Sequence, residues 1–371
     1  MFRQRACSRV VLALCAVAAA ACSSDQTTGP DGDALDAPRL KADVAATEQA
    51  MNPEVLASFA ALSARFDLGA AATAAVTASR EVVDTRGDVD LLRSKQLSVA
   101  IAERLLTASK SDVQLSSPVL RPGSLGTTYV YDPALRRYVA APGRTGAPAN
   151  GVRFILYAVN PITHEPVASV EVGYADLIDE GIARPSGIGL RLIVVSESTT
   201  YLDYRVDLQG TDNAGRLAVS GFLTDGATRL QFNIEARGVS VPAGSAMNVA
   251  FEIAVPSRAF HVTGTVEGVQ SSSGGLGRIN LVARSGETKI AFSITGDDHT
   301  VNATILVNDR VFATITGDHH SPIIRGAGGR ELTLDEREAL QGIMRLVGGV
   351  LELFGNLLKP VEAILALSSI P

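Results

Sequence analysis

Tyr201-Leu-Asp-Tyr-Arg-Val-Asp-Leu208 alternates without a break: Leu202, Tyr204, Val206 and Leu208 are set against Tyr201, Asp203, Arg205 and Asp207. Side chains on a strand point to opposite faces in turn, so this pattern describes a strand with one face buried and one face wet. The same alternation returns downstream. Leu230, Phe232, Ile234 and Ala236 interleave with Arg229, Gln231, Asn233 and Glu235. Val249, Phe251, Ile253 and Val255 repeat it, as do Ile290, Phe292 and Ile294. Between these runs stand Asp225-Gly226, Ser257-Arg258, Ser285-Gly286 and Asn308-Asp309, residue pairs suited to tight turns. The reading is of sequential antiparallel hairpins, about 12 to 14 strands between residues 126 and 317 by these strand rules. So many twisted strands must curl, split or close. A short echo, Phe292-Ser-Ile-Thr-Gly-Asp-Asp-His299 and Ala313-Thr-Ile-Thr-Gly-Asp-His-His320, marks one repeated hairpin unit rather than a long repeat.

Downstream of the strands, Thr333-Leu-Asp-Glu336 is a capping box that opens a helix over 333–367. Its apolar residues recur in sevens. Leu340, Val347, Phe354 and Val361 form one row, Ile343, Val350, Leu357 and Ile364 a second, Met344, Leu351, Leu358 and Leu365 a third, and Leu346 and Leu353 a fourth. The polar row of Glu338, Arg345, Glu352 and Lys359 is narrow. A helix apolar around most of its circumference has to be covered. The sheet has an apolar face needing the same, so the economical arrangement lays the helix across it. Gly342, Gly348, Gly349 and Gly355 are expected to let another backbone come close, and Pro360 to end or bend the helix.

Upstream, residues 42–110 are Ala-rich. Asn52-Pro53-Glu54 places a cap, a first-turn proline and an acid ahead of Val55, Phe59, Leu62 and Phe66 at helical spacing. Weaker helical patterns follow over 70–83 and 90–109. The fold class expected is therefore α+β and mostly β. It is a large curled antiparallel meander over 126–325, half-barrel or barrel-like, packed on the C-terminal helix, with an N-terminal helical segment.

The chain begins with Arg3, Arg5 and Arg9, an apolar run from Val10 to Ala21, and then Cys22. That is the plan of a secretory signal peptide over 1–21. With Ala19-Ala20-Ala21 standing directly before Cys22, this leader resembles a bacterial lipoprotein signal, although that family favours Leu where Ala19 stands. The resemblance implies cleavage before Cys22, a diacylglyceryl thioether on its sulfur, and membrane attachment. Ser23 after it implies sorting to the outer membrane. Ala19-x-Ala21 also suits the general signal peptidase, which would release a soluble exported protein. Cys7 and Cys15 leave with the leader, so Cys22 has no disulfide partner in the mature chain. Residues 22–41 are polar, with Gly, Pro and Asp, and read as a flexible tether.

The whole chain of 371 residues carries a formal charge of −6. An acidic balance gives no electrostatic case for binding nucleic acid. Trp is absent and aromatics are 5%, against the aromatic girdles of a membrane barrel. The GxSxG, GxxxxGK[ST] and HExxH motifs are missing. One cluster carries possible chemistry: Asp297, Asp298 and His299 in one turn, Asp318, His319 and His320 in another. In a meander these turns fall at the same end about 10 Å apart, a distance His and Asp side chains can close on a divalent metal. Equally, Asp, Gly and His are ordinary turn residues. No other cofactor is predicted. Three functions fit these features: a non-catalytic lipid-anchored protein holding an apolar ligand between sheet and helix, a metal-binding protein or metal-dependent hydrolase, and a surface protein that binds a protein partner.

Overall fold

The computed structural model describes residues 35–51, 54–63, 120, 122–163, 165–181, 187–211, 214–241, 244–271, 274–297, 299–318 and 322–368. Among the described residues three α-helices accompany the strands: α1 (Ala37–Ala50), α2 (Glu54–Ser63) and α3 (Leu334–Ser368). The first strands are β1 (Thr127–Asp132), β2 (Arg137–Ala140), β3 (Gly151–Val159), β4 (Pro166–Gly181) and β5 (Gly187–Ser196). The middle of the meander is β6 (Thr199–Thr211), β7 (Ala214–Thr224), β8 (Arg229–Val241), β9 (Gly244–Val255) and β10 (Phe260–Ser271). It finishes with β11 (Gly274–Ser285), β12 (Thr288–Gly296), β13 (Thr300–Val307), β14 (Arg310–Asp318) and β15 (Ile323–Gly326).

All fifteen strands form one sheet, in sequence order from β15 back to β3 and then β1 and β2. The expected meander is present. Among the described residues the sheet is unclosed, with β15 and β2 as its two edges. It needs one correction, since it is not wholly antiparallel: β1 runs parallel to β3, with Thr127 opposite Val152. The parallel pair arises because β1 and β2 make their own hairpin, and that hairpin docks by its first strand. Both edge strands are four residues long, which limits the unpaired backbone on offer to other chains.

The turn chemistry follows the residues. Asn308 and Asp309 both have positive φ, 48° and 65°, as a two-residue hairpin with a matching twist requires. Ser257-Arg258 belongs to a short 3₁₀ turn, Pro256–Arg258, closed by Ala259 in the left-handed region.

One face of the sheet is apolar over most of its area, with Asp179 on β4 a buried exception. A single row runs from Leu190 on β5 through Val206, Val219, Ile234 and Phe251, and on to Ile305 on β13, each opposite its neighbour. All of these are buried. The row is broken only at Gly264, over which the Phe251 ring lies. The other face is wet and ion-paired over most of its width, with a small buried cluster of Tyr131, Ile155 and Tyr157 near the β1–β3 edge. Arg153 holds Asp176 through two bonds of 2.7 Å, Arg191 holds Asp203, and Arg216 holds Glu235. His261 sits on this face as its alternation predicts, 2.8 Å from Glu252.

The helices share one core with the inner face. α2 packs against β3, β4 and β5, and α1 packs mainly on α3. The helical segment was expected to begin at residue 42 after a tether; α1 instead begins at Ala37. Asp36 caps it by accepting from the Arg39 N–H, and Pro38 fits the first turn, so the tether signals of this stretch were helix-start signals. α2 bears out the stripe of Val55, Phe59 and Leu62, which are all buried. Phe66 and the weaker helical patterns over 70–83 and 90–109 lie outside the described residues.

α3 begins with the expected box. The Glu336 N–H donates to Thr333 Oγ1 at 3.2 Å, and the Thr333 N–H donates to Glu336 Oε2 at 2.8 Å. Ile343, Leu346, Val347, Val350 and Leu357 are all buried, while Glu338, Arg345 and Glu352 are exposed. The helix does not end at Pro360; it runs on to Ser368. A proline removes one N–H donor and crowds one turn, which a long, packed helix tolerates. Gly342, Gly348 and Gly349 also differ from expectation. No backbone presses on them: a Cβ at Gly342 would lie 3.5 Å from the Val44 side chain, and one at Gly348 would meet nothing within 4 Å.

Candidate functional site

The inner face of the sheet and the α3 surface on it make up the candidate site. Tyr204 is the polar connection between them. It stands on β6 in the buried row Leu192, Tyr204, Gly221 and Phe232. Gly221 is needed beside it, because a Cβ there would lie 2.2 Å from the Asp203 carbonyl oxygen. The Tyr204 hydroxyl donates to the Leu357 carbonyl of α3 at 2.7 Å. That carbonyl is one residue beyond the one that an N–H at position 360 would have bonded, a donor proline lacks. Burial raises the Tyr204 hydroxyl well above its ordinary value, so it remains a neutral donor. Chemically, the region offers aliphatic and aromatic surface with isolated hydroxyl groups.

Toward one end, the inner face loses its side chains. Gly210, Gly215, Gly238, Gly268, Gly277, Gly296 and Gly317 fall in one cross-strand line over β6 to β14, interrupted by Met247 and Val301. Nothing lies within 4 Å of where a Cβ would stand on Gly268. Glycine in strands removes packing and permits bending. Sequence reading missed this line. Its only visible trace was the echoed Ile-Thr-Gly-Asp, which carries Gly296 and Gly317; alignment of the rest requires the register.

The outer face has two shallow grooves. One, of about 410 Å³, is lined by Phe222, Arg229, Gln231, Asn233 and Glu252 among others. Its Arg229 guanidinium lies 3.6 Å over the Phe222 ring. The other, of about 500 Å³, runs along exposed Val239, Val269 and Leu276 between Arg237 and Arg278.

The sequence-predicted metal residues are placed only in part. Asp297 Oδ1 accepts from the N–H groups of His299 and Thr300 at 2.8 and 2.7 Å, and from the Thr300 hydroxyl at 3.1 Å. These bonds, the backbone ones foremost, hold its carboxyl below the usual range. Asp318 stands across from Thr300 on the adjacent strand, so β13 separates the two turns as expected. Asp298, His319 and His320 lie outside the described residues. Among the described residues, no group of three His, Cys, Asp or Glu is arranged to hold a metal ion. Cys22 is also outside them. No described helix is long and apolar enough to cross a membrane.

Comparison of the chain with protein-family models, curated proteins and solved structures gives no match.

Proposed function

We propose that this chain is an exported protein, tethered to a membrane by acylated Cys22, whose sheet curls around α3 and takes up apolar ligand on its inner face without catalysis. The observation that carries this reading is the extent of that face. It stays apolar and buried from β3 to β13, with only three described helices in its core. Lying flat, fifteen strands would span about 67 Å at the usual strand spacing, whereas a helix covers a width of about 10 Å. Curling would let the described helices reach more of the face, and the glycine line supplies a place to bend. An unclosed sheet can also spread along its edges, as a rigid closed barrel cannot. The wet face, with its arginine–carboxylate pairs, suits the aqueous side.

The test is native mass spectrometry of the protein extracted from membranes in mild detergent. The reading expects a fraction carrying extra mass that matches a fatty acid or phospholipid, released on denaturation. It also expects the denatured chain to start at Cys22 with a diacylglyceryl increment that Cys22→Ser abolishes. Extraction with no bound lipid, and no uptake of added fatty acid, overturns ligand binding. An unmodified Cys22 overturns the tether.

A further inference from the structure

α1 is held unlike the other two helices. Its buried side chains include only two large aliphatic groups, Leu40 and Val44; the others are Ala37, Asp43, Thr47 and Ala50. Asp43 is 2% exposed and is the centre of the attachment. One of its oxygens accepts from Arg258 Nε at 2.7 Å, on the turn between β9 and β10. Its other oxygen accepts from Ser285 Oγ at 2.6 Å, at the end of β11. One turn earlier, the Arg39 guanidinium lies against Gly286, whose φ is +59° and where a Cβ would come within 2.5 Å of it. Against α3, Val44 lies over Gly342, and the rim of the contact is charged: Lys41 with Asp335 and Glu338 at 2.9 and 2.8 Å, and Arg345 with Glu48 at 3.8 Å. α3, by contrast, buries Leu340, Ile343, Leu346, Val347, Val350 and Leu357.

Elements that open below the global unfolding limit are those with few buried apolar contacts. A charge with its hydrogen bonds made inside the protein also fixes one geometry and penalises intermediate ones, because a half-broken buried pair leaves an uncompensated charge. Together these describe an element with two positions, docked and released. We propose that α1 is a releasable strap: it undocks as a unit from the Arg258–Ser285 turn ends while α3 and the sheet stay folded, and its release admits apolar ligand to the core beside α3. The second half of this statement rests on the apolar-ligand reading; the first does not.

Hydrogen–deuterium exchange on the full chain tests the strap. Amides of 37–50 are expected to exchange at least about 10-fold faster than those of 340–350, with Asp43→Asn widening the gap by about another 10-fold and leaving 340–350 unchanged. Should Asp43→Asn fail to fold, Ser285→Ala removes one bond and keeps the Arg258 pair, with the same direction expected. Equal exchange of α1 and α3, or equal acceleration of both by the variants, overturns the strap. Uptake of a pyrene-labelled fatty acid separates the two readings. Faster uptake by the variant supports gating. Uptake at an unchanged rate overturns gating. Selective α1 opening with no uptake by either protein overturns the apolar-ligand reading and leaves the strap standing.

Discussion

Tyr204 carries more than its share of the helix–sheet contact. It is buried on β6, flanked by Gly221, and donates to a carbonyl on α3. Phenylalanine would fit the same space and lose only the donor. Removing one partner of a buried hydrogen bond costs about 1–3 kcal/mol, since the remaining group has given up water without return. Tyr204→Phe is therefore expected to lower the unfolding free energy by about 1–3 kcal/mol, read as a lower urea midpoint with an unchanged slope. Its neighbours were legible in the sequence as inward-facing residues, since Leu202, Tyr204 and Val206 alternate. The hydroxyl's partner was not legible, because Leu357 is 153 residues away and only the helix placement brings them together.

Each element was readable where its residues act locally. The capping box of α3 is made by residues 333 and 336 alone, and both bonds form. The turns at Asp225-Gly226 and Asn308-Asp309 likewise follow from their own backbone preferences. What was not readable depends on distant partners: the parallel docking of β1 on β3, and the glycine line, which exists only once nine strands are in register. α1 failed for a different reason. Its Asp, Pro and charged residues resemble a linker until Asp43 is seen against Arg258 and Ser285. α3 carries one local cost that its packing does not require. Gly348 has open space where a side chain would stand, and glycine within a helix costs about 1 kcal/mol against alanine. Gly348→Ala is expected to stabilise the protein by up to about that amount, read as a raised thermal midpoint.

For the whole molecule, stability is expected to fall in acid. Glu235 is held below its ordinary range by Arg216 and Arg237. At Glu336 burial pushes the carboxyl up, but Arg330 and the Thr333 N–H outweigh it, so its value too is lowered. A carboxylate with a depressed folded-state value binds fewer protons folded than unfolded. Its contribution is full above the unfolded value, about 4.3 for Glu, and is lost as pH falls through the folded value. Urea midpoints should be level from pH 7 down to about 5 and decline below about 4.3. The decline should be shallower in Glu235→Gln, which has less to lose.

The account depends on one apolar face of an open sheet being sheltered by α3, and the chain allows a direct probe. Its three cysteines are Cys7, Cys15 and Cys22, so replacing all three by serine leaves a chain without thiols. Single cysteines would then replace Val347 and Ile234, which are buried, and Arg345 and Asn233, which are exposed. Each is followed by its rate of reaction with a thiol reagent in the folded protein. The cysteines at 345 and 233 are expected to react at nearly the rate of free thiol, while those at 347 and 234 react only through opening, slower by about 100-fold or more. Comparable rates at all four positions would mean that helix and sheet do not cover each other, and would contradict that sheltering.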